Sequence, residues 1–122
     1  MLKPSLGSGM AAKPIFTYGT NPQVAISGVP DGEGAFRINN NTIRILVNSE
    51  IGKDTGALYT LDNGTRLNGA RINFVDINNA GQVKNSGLAY SKVVDRFGVT
   101  VTDPTQISGD ASGSLNGFTR FC

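Results

Sequence analysis

Glycine and asparagine interrupt this sequence so often that no helix-length apolar pattern survives in it. The 122 residues include 16 glycines and 12 asparagines. No window of about 11 residues carries apolar side chains at i, i+3, i+4 and i+7 without a Gly or Pro inside it. What remains are short runs rich in β-branched residues between turn-forming residues, and this pattern favours an all-β chain.

Two hairpins are predicted from these runs. The first joins Ala35–Ile38 to Thr42–Val47 through Asn39–Asn41, because asparagine tolerates the left-handed conformations of a tight turn. The second joins Ala57–Leu61 to Thr65–Leu67 through Asp62-Asn63-Gly64. Further strands are expected at Gln23–Ser27, Ala70–Ile77, Leu88–Val94 and Gly98–Val101, with a turn at Asn78–Gly81 and a loop over residues 103–117.

The alternation within two of these strands predicts a core. Side chains two apart in a strand share a face, so Ile43, Ile45 and Val47 lie together and Arg44 lies opposite them. By the same period, Ala70, Ile72 and Phe74 share a face opposite Arg71 and Asn73. We therefore expect buried apolar side chains on one face and Arg44 and Arg71 on wetter faces; the buried set is Ile43, Ile45, Val47, Ile72 and Phe74.

The spacing of the strands bears on domain organisation. Residues 1–14 contain two Lys-Pro pairs and a Gly-Ser-Gly, which indicates a flexible lead-in, and residues 15–122 form the β domain. Strand pairs about 40–45 residues apart match the blades of a β-propeller, and a closed propeller needs at least about four blades. The ending Phe118–Cys122 is typical of the start of an element. The chain is therefore expected to be the first two or three blades of an incomplete propeller.

Composition excludes several classes of site. There is no His, and the single Cys cannot form an internal disulfide or a multi-cysteine metal centre. The net charge is +2 and the basic residues are scattered, whereas nucleic-acid binders carry a clustered basic surface, so no nucleic-acid partner is expected. No apolar run approaches the ~20 residues of a membrane span, and the N-terminus lacks the apolar segment of a signal peptide.

Four residues remain as candidates for chemistry. Asp31 and Glu33 lie in the glycine-rich segment Gly28–Ala35, where carboxylates and close-approaching backbone suit a hard cation or a phosphate, although a Pro-Asp-Gly turn explains the same residues. Glu50 follows an apolar strand, as site carboxylates and solvated strand ends both do. Cys122 is either a thiolate ligand or a small buried apolar group.

The order of these segments resembles the N-terminal part of PhoX-type alkaline phosphatases. Gly28–Phe36 is similar to that family's G-[IV]-x-D-G-x-G-A loop, and Thr42–Gly52 is similar to its strand ending V-N-H-E-[LI]-G. The resemblance covers roughly residues 14–122; its other segments are Gly64–Arg71, Leu88–Tyr90, Asp95–Gly98 and Asn116–Cys122.

The resemblance implies a β-propeller that hydrolyses phosphate esters with calcium and iron, outside the cell or in the periplasm. It carries Glu50 onto the family's N-H-E glutamate and Cys122 onto its iron-ligand cysteine, with Asp31 and Glu33 as further metal ligands. The family's His is Ser49 here, which removes any role of an imidazole. Since four candidate ligands cannot hold an iron–calcium cluster, the 122 residues alone are expected to be inactive.

Two other functions fit the residues without that resemblance. An incomplete propeller exposes unpaired strand edges, and low charge with short strands suits a non-enzymatic chain that self-associates through those edges into an oligomer or filament. Asparagine-rich loops alternatively suit a module that binds calcium or carbohydrate.

Overall fold

The computed structural model describes residues 14–16, 26, 28–51, 58–107, 117–118 and 121. They form an all-β structure, as the sequence predicts. The strands are β1 (Val29–Asn39), β2 (Thr42–Glu50), β3 (Tyr59–Thr60), β4 (Arg66–Gly69), β5 (Arg71–Asn78), β6 (Val83–Leu88) and β7 (Gly117–Phe118), with one 3-10 turn at Pro104–Gln106.

The strands lie in two sheets. The larger has four antiparallel strands in the order β1-β2-β5-β6, and the smaller has the order β3-β4-β7. Strand β7 runs parallel to β4, which it contacts near the C-terminal end of the chain. The larger sheet has four strands, as a propeller blade does. It is not a simple meander, because the chain forms β3 and β4 of the smaller sheet between β2 and β5.

Asparagine and glycine make the turns, and both predicted hairpins are confirmed. At the β1–β2 turn the Asn41 backbone N–H donates to Asn39 Oδ1 at 2.9 Å. At the β3–β4 turn Gly64 has φ +86°, which a residue with a Cβ rarely adopts, and its N–H donates to the Leu61 carbonyl. The predicted turn at Asn78–Gly81 is also present, where Asn78 Oδ1 accepts bonds from the N–H groups of Ala80 and Gln82.

The register between β2 and β5 decides which side chains are buried. Ile43, Ile45 and Val47 lie opposite Ile77, Val75 and Asn73 respectively, and this face packs on Ile26. Arg44 lies opposite Asp76 on the other face, so the prediction that Arg44 opposes Ile43 and Ile45 is confirmed. Val47 and Val75 are fully buried, while Ile43 and Ile45 are half-buried against them.

The predicted face of β5 is wrong. Its core side carries Val75 and Ile77, whereas Ile72 and Phe74 lie on the opposite, half-exposed face. Arg71 is consequently on the core side and only 5% exposed, not in the wetter position expected for it. The alternation was identified correctly, but the set of side chains that faces the core was not.

The predictions for later segments need similar correction. The strand after β5 is Val83–Leu88 rather than Leu88–Val94, because the turn at Asn78–Gly81 returns the chain directly alongside β5. In the 98–101 segment only a single bridge forms, between Val94 and Thr100. The predicted loop over 103–117 contains the 3-10 turn, and its residues 108–116 lie outside the described residues, as do those of the candidate strand Gln23–Ser27 other than Ile26.

A second apolar cluster lies on the smaller sheet. Tyr59, Leu61 and Leu67 are buried there, and Leu88 and Phe118 pack against them. Phe118 pairs with Gly69 and bridges Ala70, whose N–H donates to the Phe118 carbonyl at 2.7 Å. This contact brings the C-terminal strand against β4 and the beginning of β5.

Removing two methyl groups in the first core should destabilise the chain more than the same change at the surface. For Val75→Ala, where the side chain is fully buried, we expect a loss of about 2 kcal/mol in the free energy of unfolding, between the ranges for Ile→Val and Leu→Ala. The matched control is Val99→Ala, at a residue 55% exposed, with an expected change within about 0.5 kcal/mol. Equal losses in urea unfolding would contradict the assignment of faces on β5.

Candidate functional site

The described carboxylates predicted to bind metal lie at one end of the β1–β2 hairpin. Glu50 is opposite Val29, and Glu33 is opposite Val47. Asp31 lies between them in a β-bulge, since the register shifts between Pro30 and Glu33. The antiparallel pairing thus brings residues 17–19 positions apart in sequence to the end of the sheet opposite the asparagine turn.

The two faces of the hairpin separate these carboxylates. Glu33 shares the core-side face with Val47, whereas the alternation along β2 places Glu50 with Asn48 on the other face. Asp31 and Gly32 lie opposite Asn48, and a Cβ on Gly32 would be 3.9 Å from the Asn48 Cβ. Among the described residues, no three Asp, Glu, His or Cys side chains come together in a group that could hold a metal ion.

Asn48 is the residue of this region that sequence reasoning missed. Its side-chain Nδ2 donates to the Phe121 carbonyl, which joins the end of β2 to the C-terminal end of the chain. Its Oδ1 is buried and accepts no hydrogen bond from any residue that the structure describes. The only signal in the sequence is its position two residues before Glu50; Cys122, the residue after Phe121, lies outside the described residues.

Ser49 stands where the resemblance implies a histidine, and it serves the core. The residue is fully buried, and Asn73 Nδ2 donates to its Oγ at 3.3 Å. It lies opposite Arg71 on the core-side face, away from the face that carries Asn48 and Glu50. Its hydroxyl therefore satisfies a buried amide instead of facing the carboxylates.

A second polar group is buried between the two sheets. Tyr90 donates its hydroxyl hydrogen to the Tyr59 oxygen at 3.1 Å, and Tyr59 in turn donates to the Ala70 carbonyl at 3.5 Å. The Arg71 guanidinium lies 4.6 Å from the centre of the Tyr59 ring. Burial raises the pKa of both tyrosines and lowers the pKa of Arg71. The neutral phenols and the stacked cation hold the sheets together.

An open depression lies beside Tyr90. It encloses about 310 Å³ and is lined by Thr60, Asp62 and the segment 88–91. Two of its lining residues are joined by a hydrogen bond, since the Asp62 N–H donates to the Ser91 carbonyl at 3.0 Å. Its lining is mostly polar, and it carries one carboxylate.

No helix among the described residues has the length and apolar character needed to cross a membrane. Comparison of the chain with protein-family models, with curated proteins and with solved structures found no match. The geometry of the described residues is therefore the basis for assigning a function.

Truncating the tyrosine pair should weaken the fold. In Tyr90→Phe the Tyr59 oxygen loses the hydrogen bond that it accepts, and we expect a loss of about 0.5–1.5 kcal/mol in the free energy of unfolding. Urea unfolding at neutral pH measures this loss. An unchanged midpoint would contradict a structural role for the hydroxyl contact.

The same pair should make stability fall in alkaline solution. Both tyrosines have a pKa raised above 10.0, so the folded chain keeps their protons while the unfolded chain loses them as the pH rises through 10. Their contribution is complete below pH 10 and is lost above it. We expect the unfolding midpoint to drop progressively as the pH rises above 10, and to drop less in the double variant Tyr59→Phe/Tyr90→Phe.

Proposed function

We propose that this chain supplies part of a metal-dependent phosphomonoesterase of the PhoX type, and that the Asn48 end of β2 contributes oxygen ligands to its metal site. The observation that carries the proposal is the Asn48 Oδ1, which is buried without a hydrogen-bond donor among the described residues. An unpaired buried acceptor costs about 1–3 kcal/mol, and amide oxygens are ligands that Ca²⁺ accepts. A cation at this atom would remove that cost.

The neighbouring residues suit the same ion. Glu50 follows Asn48 on the same face of β2, and Asp31 lies opposite Asn48 in the β1 bulge. Carboxylate and amide oxygens together form the donor set of a hard cation. Glu33 is left out of this proposal, because its register places it on the core-side face.

The contact between Asn48 and Phe121 supports a role for the C-terminal end. The resemblance assigns an iron ligand to Cys122, and the Phe121 carbonyl is held at Asn48, two residues from Glu50. Residues more than 70 positions apart in sequence thus meet at the end of β2. A calcium and iron site built from Glu50 and Cys122 would need the C-terminal end of the chain near this end of β2.

The ligands named here would be too few for the whole site. Ca²⁺ takes about six to eight oxygen ligands, so in this proposal the remaining ones come from water and from further β structure of the parent protein. The larger sheet has a face ready for such a neighbour, since Phe36, Leu46 and Phe74 lie half-exposed on the side away from the core. Propeller blades pack face to face through such apolar surfaces. Metals bound at the Asn48 end of β2 would polarise the phosphoryl oxygens of a phosphate ester.

The test is phosphatase activity of the whole product of the reading frame that encodes this chain. With Ca²⁺ and Fe³⁺ we expect hydrolysis of a chromogenic phosphate monoester that a chelator abolishes. Glu50→Gln should lower the activity by roughly tenfold or more through weaker metal binding. The matched control Glu33→Gln, which makes the same change on the other face, should retain it. Absence of metal-dependent turnover in the whole product would overturn the proposal.

The 122 residues alone should be inactive. We expect no hydrolysis of the same ester above a buffer blank, with or without Ca²⁺ and Fe³⁺, since the ligand set is incomplete. Turnover by the isolated chain that disappears in Glu50→Gln would contradict this expectation and show that these residues suffice.

A further inference from the structure

Strand β1 is a long open edge of the larger sheet. It has 11 residues, every one of them exposed, and it pairs only on its β2 side among the described residues. Its register is regular over Glu33–Arg37, between the bulge after Pro30 and a second irregularity before Asn39. An edge of this kind presents a row of backbone N–H and C=O groups to another strand.

The hydrogen bonds of the sheet show which backbone groups point outward. The Asn78 N–H and the Ile72 carbonyl form their hydrogen bonds on the β6 side of β5. Because the direction of the backbone hydrogen bonds alternates along a strand, the odd-numbered residues of β5 form theirs with β2. By the same alternation, the backbone N–H and C=O groups of the even-numbered residues of β2 point towards β1. One of these residues is Leu46, which lies opposite Gly34. The N–H and C=O groups of Glu33, Ala35 and Arg37 therefore point away from β2.

We propose that a second copy of this chain pairs with β1 in antiparallel orientation, with the Ala35 residues of the two copies opposite each other. This register uses the whole regular segment Glu33–Arg37. The outward N–H and C=O groups of Ala35 then bond to those of Ala35 in the other copy. Those of Glu33 bond to those of Arg37 in the other copy, and the reverse, so that the two-fold axis relates the bonded pairs.

The charges of β1 fit this arrangement. With Ala35 at the axis, Glu33 of each copy lies opposite Arg37 of the other, and opposite charges in such cross-strand pairs are favourable. Arg37 already donates from Nη1 to the Asn40 carbonyl at 3.0 Å and to Asn79 Oδ1 at 3.1 Å. Arg37 lies on the same face of β1 as Glu33, because the register is regular between them. A guanidinium has five N–H donors, so it can also bind a carboxylate.

The aromatic residue of β1 fits as well. Phe36 is 49% exposed, and in this register it lies opposite Gly34 of the other copy. A Cβ on Gly34 would meet nothing within 4 Å, so the space above it is open for a ring. The chain uses the same pairing internally, where Phe74 lies opposite Gly87 so closely that a Cβ there would be 3.1 Å from the ring. The sheet thus already contains an aromatic ring packed over a cross-strand glycine, as Phe36 would pack over Gly34 of the other copy.

Backbone substitution tests the edge directly. Ala35→Pro removes an outward N–H without touching a bond to β2, and proline is tolerated at such edge positions. We expect sedimentation velocity to show dimers of the unchanged chain, and the variant to raise the dissociation constant about tenfold or more, because two N–H···O bonds are lost per dimer. The control Ala35→Val keeps the N–H and should still dimerise. A chain that is monomeric at high micromolar concentration would overturn the proposal.

Charge reversal tests the register. Glu33→Arg and Arg37→Glu should each be monomeric alone, and mixing the two variants should restore a dimer because every facing pair is again of opposite charge. Lys92→Glu, at an exposed residue outside the sheet, is the control for Arg37→Glu and should dimerise normally. Dimers of either single variant as stable as those of the unchanged chain would exclude this interface.

Hydrogen exchange provides a readout that does not depend on mutation. The amide hydrogens of Glu33, Ala35 and Arg37 should exchange more slowly as protein concentration rises, whereas those of Gly34 and Phe36, which face β2, should be protected at every concentration. Exchange at Ala35 that is independent of concentration would contradict the pairing. None of these substitutions changes Asn48 or Glu50, so the outcome is separate from that of the phosphatase assay.

Discussion

The antiparallel register of β2 and β5 is the constraint on which the rest of the structure depends. On one face it places the half-buried Ile45 against Val75, which is fully buried. On the other it brings Arg44 to Asp76, with Nε and Nη2 donating to the two carboxylate oxygens at 2.8 and 2.9 Å. The Arg44 guanidinium also lies 4.1 Å from the centre of the Phe74 ring, and its hydrogen bonds to Asp76 raise its pKa. A slip of β2 by one residue would turn Arg44 to the core side, turn the buried Val47 outward and separate Arg44 from Asp76, so both faces oppose it.

The same register makes the core side polar towards one end. Near the asparagine turn the core side of β2 and β5 is aliphatic, whereas at the Glu50 end it carries Ser49, Asn73 and Arg71. These groups are buried only because they have partners, since Asn73 donates to Ser49 and the Arg71 cation stacks on Tyr59. The polar end therefore depends on the smaller sheet, which supplies Tyr59. Because the candidate metal ligands lie just beyond it, the two sheets together support that end of the hairpin.

Local chemistry was enough to predict the hairpins, because asparagine and glycine determine turns without help from distant residues. The face of β5 was not predictable from alternation, since Ile72 and Phe74 on one side are as apolar as Val75 and Ile77 on the other. Burial of Arg71 was missed for a related reason: it requires a tyrosine ring from another strand.

In the candidate site, Glu50 and Asp31 could be selected from residue type and position. The position of Asp31 opposite Asn48, and that of Glu33 on the core-side face, depend on a bulge that the sequence does not specify. Asn48 could not be selected, because its importance arises from a carbonyl 73 residues away in sequence. The parts of the site that depend on long-range contacts are therefore the parts that sequence reasoning left out.

The two edges of the larger sheet differ in a way that limits assembly. Strand β6 has six residues, an irregular register and an exposed Lys84, features by which natural sheets discourage pairing. The register of strand β1 is interrupted only at its ends, by Pro30 and the bulge and by the irregularity before Asn39. Its regular segment carries two exposed charges, Glu33 and Arg37, which are complementary in the proposed register. In the proposed dimer the β1 edge of one copy pairs with the β1 edge of the other about a two-fold axis. The β6 strands of the two copies then form the outer edges of the joined sheet. Such a sheet has eight strands in the order β6-β5-β2-β1 followed by its reverse, and the poorly pairing outer edges favour a closed dimer over a filament.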